Sequence, residues 1–193
     1  MNHKRFYDPS APVQPEQLDG EFRALLAIVN GLAPGAVVEI GSYKGGSLYQ
    51  WQEHTAPGSV IIAIDLPGGP WGSRDALPHV GQWREWGPEI IPILADSHSA
   101  DTVEAVRQEI DAIDFLFIDG DHRYEGAKSD FDLYWPMVRP GGIVALHDVL
   151  KTDEGCGVAQ FWCEIQASGL SACTLMSYPD QSNMGIGVIF KPF

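Results

Sequence analysis

The run Glu39-Ile40-Gly41-Ser42-Tyr43-Lys44-Gly45-Gly46-Ser47 follows the apolar segment Ala36 to Ile40 and leads into Leu48 and Trp51 at helical spacing. A short β-branched stretch that breaks into a glycine-rich turn and then a helix reads as the opening βα unit of an open α/β sheet. In such sheets ligands bind beyond the carboxyl ends of the strands, where the strand order switches. The glycines let the backbone approach a ligand, and the helix N-terminus turns amide N–H groups toward its polar atoms. The E-x-G-x-x-x-G-G-S spacing departs from the G-x-G-x-x-G of dinucleotide sites and lacks the closing Gly-Lys-Ser/Thr of a phosphate loop, so a diphosphate is the less suitable ligand.

Four further apolar runs, Val60 to Ile64, Ile90 to Leu94, Phe115 to Ile118 and Ile143 to Leu146, are too continuous for half-exposed strands and predict strands buried on both faces. Helical spacing separates them, in Val103, Val106 and Ile110 and again in Ala127, Phe131, Tyr134 and Trp135. A helix with the face Leu18, Phe22, Leu25, Leu26 and Val29, closed by Asn30-Gly31 and Pro34, precedes the first strand. After the fifth strand come a helix with Val158, Phe161, Trp162 and Ile165, then two runs, Ala172 to Ser177 and Gly185 to Phe190, that predict an antiparallel hairpin. The expectation is one α/β domain over 1–193: a doubly wound, mostly parallel seven-stranded sheet ending in that hairpin. Residues 1–15, with Pro9, Pro12 and Pro15, read as an irregular arm, and 66–88 as a long loop whose Trp71, Trp83 and Trp86 either line a substrate pocket or cover sheet edges.

Composition narrows the function. Among 193 residues, 12 Lys and Arg face 26 Asp and Glu, giving a formal charge of −14 with no cationic stripe, which argues against a nucleic-acid partner. The longest apolar run is six residues, Ala24 to Val29, where a membrane span needs about 20 and a signal segment roughly 7 to 15. Neither a membrane nor a secretory segment is expected. The three cysteines, Cys156, Cys163 and Cys173, form no C-x-x-C pair or disulfide framework and suit a reducing cytoplasm.

The ends of the remaining strands carry chemistry. Asp65 closes the second strand, 24 residues after Gly41, where a carboxylate can accept both hydroxyls of a ribose. Asp96-Ser97 ends the third strand and either touches a base edge or caps the helix near Asp101. The fourth ends in Asp119-Gly120-Asp121-His122-Arg123-Tyr124-Glu125 and the fifth in His147-Asp148. Paired in parallel, these two ends lie about 4.8 Å apart, so Asp119, His147 and Asp148 meet over one crevice. Such a cluster calls for a counter-charge, a proton-transfer role or water. Asp119, His147 and Asp148 are therefore candidate ligands of a divalent metal, a mixed O/N set better suited to Mn²⁺, Fe²⁺ or Zn²⁺ than to Mg²⁺.

Together E-I-G-S-Y-K-G-G-S, I-I-A-I-D, F-I-D-G-D-H-R-Y-E and P-G-G-I-V-A-L-H-D-V, in this order and spacing, resemble class I S-adenosylmethionine-dependent methyltransferases. The likeness is greatest to the small O-methyltransferase branch with catechol-type and cephalosporin-hydroxylase-type relatives, over about Ala36 to Phe190. It implies a Rossmann-like sheet and methyl transfer from S-adenosylmethionine to a hydroxyl of a small molecule. The methionine part would lie on Glu39, Gly41, Ser42, Tyr43, Gly45, Gly46 and Ser47, the ribose on Asp65, and the adenine near Asp96 and Ser97, with Asp119 also on the cofactor side. Metal-dependent relatives carry carboxylates where Asp119 and Asp148 stand, and His147 replaces their third acidic or amide ligand. The resemblance makes His122 the first candidate general base, with Asp119 and His147 as catalytic partners, and a homodimer the expected assembly. The competing readings are an NAD(P)-dependent oxidoreductase and a cofactor-binding scaffold without catalysis.

Overall fold

A computed structural model describes residues 13–68 and 87–193. Most of the anticipated arm and loop, with Trp71, Trp83 and Trp86, lies outside the described residues.

Seven strands form one sheet in the order β3-β2-β1-β4-β5-β7-β6. They are β1 (Ala36–Ile40), β2 (Val60–Asp65), β3 (Glu89–Leu94), β4 (Ile113–Ile118), β5 (Val138–His147), β6 (Ser171–Leu175) and β7 (Ile186–Phe190). β1 pairs in parallel with β2 on one side and β4 on the other, Val37 facing both Ile61 and Phe115. β4 and β5 are parallel, whereas β7 runs antiparallel to both β5 and β6, which is the anticipated hairpin. The helices are α1 (Asp19–Leu32), α2 (Gly46–His54), α3 (Ala100–Glu109), α4 (Tyr124–Tyr134) and α5 (Val158–Ala167). Among the described residues no helix is long and apolar enough to cross a membrane.

Side chains alternate across a strand, so the continuous apolar runs feed two cores. Val38, Ile40, Ile62, Ile64, Leu116 and Val144 face one way, against Val103, Val106, Phe131, Phe161 and Trp162 of α3, α4 and α5. Val37, Ile61, Phe115, Phe117 and Val188 face the other, against Phe22, Leu25 and Val29 of α1 and Leu48 and Trp51 of α2. Trp51 is fully buried and meets Phe22, Phe115 and Phe117 with ring centroids 5.1 to 5.3 Å apart.

Three local expectations change. β3 is the outermost strand and only partly covered among the described residues, Leu94 being 47% exposed. An outermost position also tolerates Pro92, which has no N–H to donate. α1 runs through Asn30-Gly31 and stops at Ala33, which adopts φ 47° and donates its N–H to the Val29 carbonyl. β5 starts at Val138 rather than Ile143, because a register shift between Ile113 and Phe115 and a left-handed Gly141 carry the pairing past the Pro-Gly-Gly turn.

Replacing Trp51 by Ala should cost about 3 to 5 kcal/mol in urea unfolding, the range for emptying a large aromatic site. Phe in its place should cost about 1 to 3 kcal/mol, because the indole N–H also serves the buried Glu39 carboxyl.

Candidate active site

Beyond the carboxyl end of β1 the sheet divides: the Gly41 amide donates to the Ile64 carbonyl of β2, and the Asp119 amide donates to the Ile40 carbonyl. The crevice therefore opens at the topological switch between β1 and β4. Gly41 adopts φ +87°, and a Cβ there would lie 2.1 Å from the Asp119 carbonyl oxygen. No other residue fits. Gly45 adopts φ +79° as the N-cap of α2 and gives the first helical amides no side-chain cap. Gly46 lies under the arm, where a Cβ would meet the Gln14 carbonyl oxygen at 2.3 Å. Gln14, Gln17, Gly41, Tyr43, Ser47 and Asp119 are among the residues lining a small crevice open to solvent.

Each predicted cofactor residue has a definite place. Glu39 is buried beneath the turn and accepts hydrogen bonds from Ser47 Oγ at 2.5 Å and Trp51 Nε1 at 3.0 Å. It holds the loop from below. Desolvation pushes its pKa up to about 7, against the opposing pull of Ser47, Trp51 and Ser42. Its Oε2 and the Ser42 hydroxyl are buried without a hydrogen bond of good geometry, which leaves polar capacity directly under the turn. Asp65 accepts the Tyr43 amide at 2.6 Å and so ties the turn to β2. Asp96 is exposed and accepts the His98 amide, the Ser97 carbonyl accepts the Tyr134 hydroxyl, and the cap of α3 is Ser99 rather than either of them.

The acceptor-side residues do converge. His147 Nδ1 lies 3.0 Å from Asp119 Oδ1 and 3.7 Å from Asp148 Oδ1. His122 bridges the same carboxylates, with Nε2 3.2 Å from Asp119 Oδ1 and Nδ1 2.9 Å from Asp148 Oδ2. His122 is 38% exposed, whereas His147 is buried. Asp148 is turned into the cluster by a left-handed φ of 61°, strain of the kind that gathers at functional sites. The hydrogen bonds to Asp119 and Asp148 raise the His122 pKa. Burial lowers that of His147, but Asp119, Glu21 and Asp148 outweigh it and the net direction is upward. Burial raises both Asp119 and Asp148, yet the two imidazoles hold each below the ordinary carboxylate range. The rings are thus proton carriers within an ion-paired cluster.

Three members of the site were not foreseen. Gln17 donates to Asp119 Oδ2 at 2.7 Å. Glu21, fully buried on α1, accepts the Gly185 amide at 3.1 Å and the Gln181 side-chain amide, and its Oε1 faces His147 Nε2 at 3.6 Å. The available signal was an acid on the Leu18, Phe22, Leu25 face of α1, since an acid on a buried stripe needs a partner. Cys156 belongs to a turn whose next residue, Gly157, donates its amide to the His122 carbonyl at 2.7 Å.

The Glu39 shift makes stability pH-dependent. Its folded pKa lies above the unfolded value, so the folded state keeps a proton that the unfolded chain loses, and stability falls as pH rises from about 4.5 to 7. Glu39→Gln retains an acceptor for Ser47 and Trp51 without this loss. Between pH 5 and 8, unfolding free energies should shift toward the variant by about 2 to 3 kcal/mol relative to the parent chain; a pH-independent difference would contradict the buried, proton-holding carboxyl.

The sequence profile of the family described as "Methyltransferase domain" matches residues 38–149. An uncharacterized protein of Sinorhizobium fredii is 28% identical over 178 residues, covering 84% of this chain and 18% of its own length. One of Acanthamoeba polyphaga mimivirus is 31% identical over 111 residues, covering 58% of this chain and 50% of its own. The chain thus spans half or less of the length of these curated relatives. Among solved structures, an O-methyltransferase from Bacillus cereus in complex with S-adenosylhomocysteine superposes with a TM-score of 0.65 at 21% identity, over 95% of this chain and 84% of that one. The O-methyltransferase TomG of Streptomyces achromogenes, in complex with S-adenosylmethionine, gives 0.68 at 17% identity, over 94% and 83%. At such identities the likeness is one of fold. The family profile instead spans both walls of the crevice, from the glycine turn to Asp148, and on that match the chain belongs to the methyltransferase-domain family.

Proposed function

We propose that this chain moves a methyl group from S-adenosylmethionine to a hydroxyl oxygen of a small molecule. The observation that carries the reading is the crevice between the glycine turn, which Asp65 ties to β2, and Asp119, behind which His122 and Asp148 are packed. The cofactor forms named for the Bacillus cereus and Streptomyces achromogenes structures support it.

The residues present fit this cofactor. The positive-φ glycines make a cradle that a Cβ would fill at Gly41, and the uncapped amides at the start of α2 suit the carboxylate of the methionine part. Gly41, Ser42, Tyr43, Gly45, Gly46 and Ser47 hold that part, with Glu39 beneath them. Asp65 takes the ribose hydroxyls, while Asp96 and Ser97 lie toward the adenine. Bound S-adenosylmethionine supplies an electrophilic methyl on a sulfonium.

A single in-line displacement leaves the chain three tasks, which are to align the acceptor, keep water out and carry away its proton. Asp119 faces the acceptor at the end of β4, with the more deeply buried Asp148 behind it at the end of β5. His122 joins those two carboxylates through one ring and opens to solvent, so it relays the proton outward. His147, with no solvent path, positions Asp119. In this arrangement His147 Nδ1 is bonded to Asp119, and both Asp119 oxygens are engaged by His122, His147 and Gln17, so a divalent metal on Asp119, His147 and Asp148 would have to displace those contacts. No step is routed through a metal there. The acidic chain and its free thiols suit a small-molecule acceptor in a reducing cytoplasm.

Calorimetric titration with S-adenosylhomocysteine should give saturable micromolar binding, with NAD as the negative control. Asp65→Ala should weaken that binding at least tenfold. Asp119→Ala should keep the fold and abolish methyl transfer across a hydroxyl-acceptor panel. No binding of S-adenosylhomocysteine by the folded chain would sink the reading.

A further inference from the structure

One side of the cluster carries a thiol, Cys156, to which the methyl-transfer chemistry gives no role. His122, Asp148 and Cys156 each offer a ligand atom, and these atoms lie within 4.8 Å of one another. We propose that His122, Asp148 and Cys156 form a binding site for a Zn²⁺-class ion at the rim of the crevice, distinct from the Asp119, His147 and Asp148 set.

The donor set is chemically selective. One imidazole nitrogen, one carboxylate oxygen and one thiolate with an open fourth position is the pattern of a tetrahedral zinc centre, and the sulfur excludes Mg²⁺ and Ca²⁺ as preferred occupants. Metal–ligand bonds of about 2.0 to 2.3 Å place tetrahedral ligand atoms about 3.5 Å apart, so closure needs shifts of about 1 Å. His122 presents Nδ1 to Asp148 at 2.9 Å, which makes Nδ1 the ligating atom. Its other nitrogen, Nε2, faces Asp119 Oδ1 at 3.2 Å. A carboxylate on the far nitrogen is the outer support that fixes the tautomer and orientation of a metal-bound histidine. Asp119 is itself held by Gln17 and His147.

The backbone builds the third ligand into place. The Cys156 amide donates to the Asp153 carbonyl at 3.0 Å, and the Gly157 amide to the His122 carbonyl at 2.7 Å. A Cβ on Gly157 would lie 2.3 Å from the Tyr124 amide nitrogen, so only glycine lets the Cys156 turn close on the His122 loop. Asp148 reaches the site through its left-handed φ of 61°. Lys151 Nζ, 3.3 Å from Asp148 Oδ2, is the present counter-charge and is displaced by an arriving ion. Binding expels the Cys156 thiol proton and the His122 Nδ1 proton to solvent. The site does not rest on the methyl-transfer reading.

The test loads the chelator-stripped full chain with Co²⁺ as a spectroscopic stand-in for Zn²⁺. The expected result is one ion per chain, a thiolate-to-cobalt charge-transfer band in the near ultraviolet, tetrahedral visible bands, and displacement by equimolar Zn²⁺. Cys156→Ser should abolish the charge-transfer band and weaken Co²⁺ binding at least tenfold, while the Cys163→Ser/Cys173→Ser double variant keeps both. Absence of Co²⁺ binding, binding without the thiolate band, or an unchanged band in Cys156→Ser would each overturn the proposal. S-adenosylhomocysteine titration of the metal-free parent chain separately judges the methyl-transfer reading.

Discussion

The close approach of Gly41 to the Asp119 carbonyl is the contact on which the rest of this molecule depends. β1 is bonded to β2 and β4 together, so the chains leaving β1 and β4 emerge side by side and must then part. At the 2.1 Å that a Cβ would leave, nothing but backbone passes. The turn can then lie across the strand ends, α2 starts with uncapped amides, and Asp119 comes forward at the mouth instead of being covered. One missing methyl group thus sets both walls of the crevice.

Electrostatics explain why the opposite wall is stable in so acidic a chain. Asp119, Asp148 and Glu21 crowd against two imidazoles, and removing any one charge leaves the others buried without compensation. The arrangement holds because the two rings and the Asp119 and Asp148 carboxylates favour one another's charged forms, with Gln17, Gln181 and the Gly185 amide donating to Asp119 and Glu21. Glu39 solves the same problem the other way. Surrounded by Ser47 and Trp51 with no cation at hand, it keeps a proton instead.

Proteins of this fold that differ almost everywhere in sequence share the placement of strand ends, because the sheet order fixes where ligands can reach backbone. The acceptor side is where this chain departs. His147 stands where metal-dependent relatives carry an acid or amide, and its engagement with Asp119 and approach to Glu21 turn a would-be ligand into a positioning group.

The periodicity of apolar residues determined the strand and helix sequence, and the glycine turn with Asp65, Asp119 and His147-Asp148 marked the strand ends as the site. Those features are local: a buried strand, a positive-φ turn and a carboxylate at a strand end are each encoded within a few residues. Gln17, Gln181 and Cys156 carry no such local signal, and Glu21 shows only as an acid on the apolar face of α1. Gln17 lies 102 residues from Asp119, Gln181 160 from Glu21, Glu21 126 from His147 (147 − 21) and Cys156 34 from His122 (156 − 122), and only the tertiary fold brings them together. The protonation pattern was likewise decided in three dimensions. A lone histidine in sequence carries no sign of its neighbours, and only the fold sets His122 at hydrogen-bond distance from two carboxylates that raise its pKa.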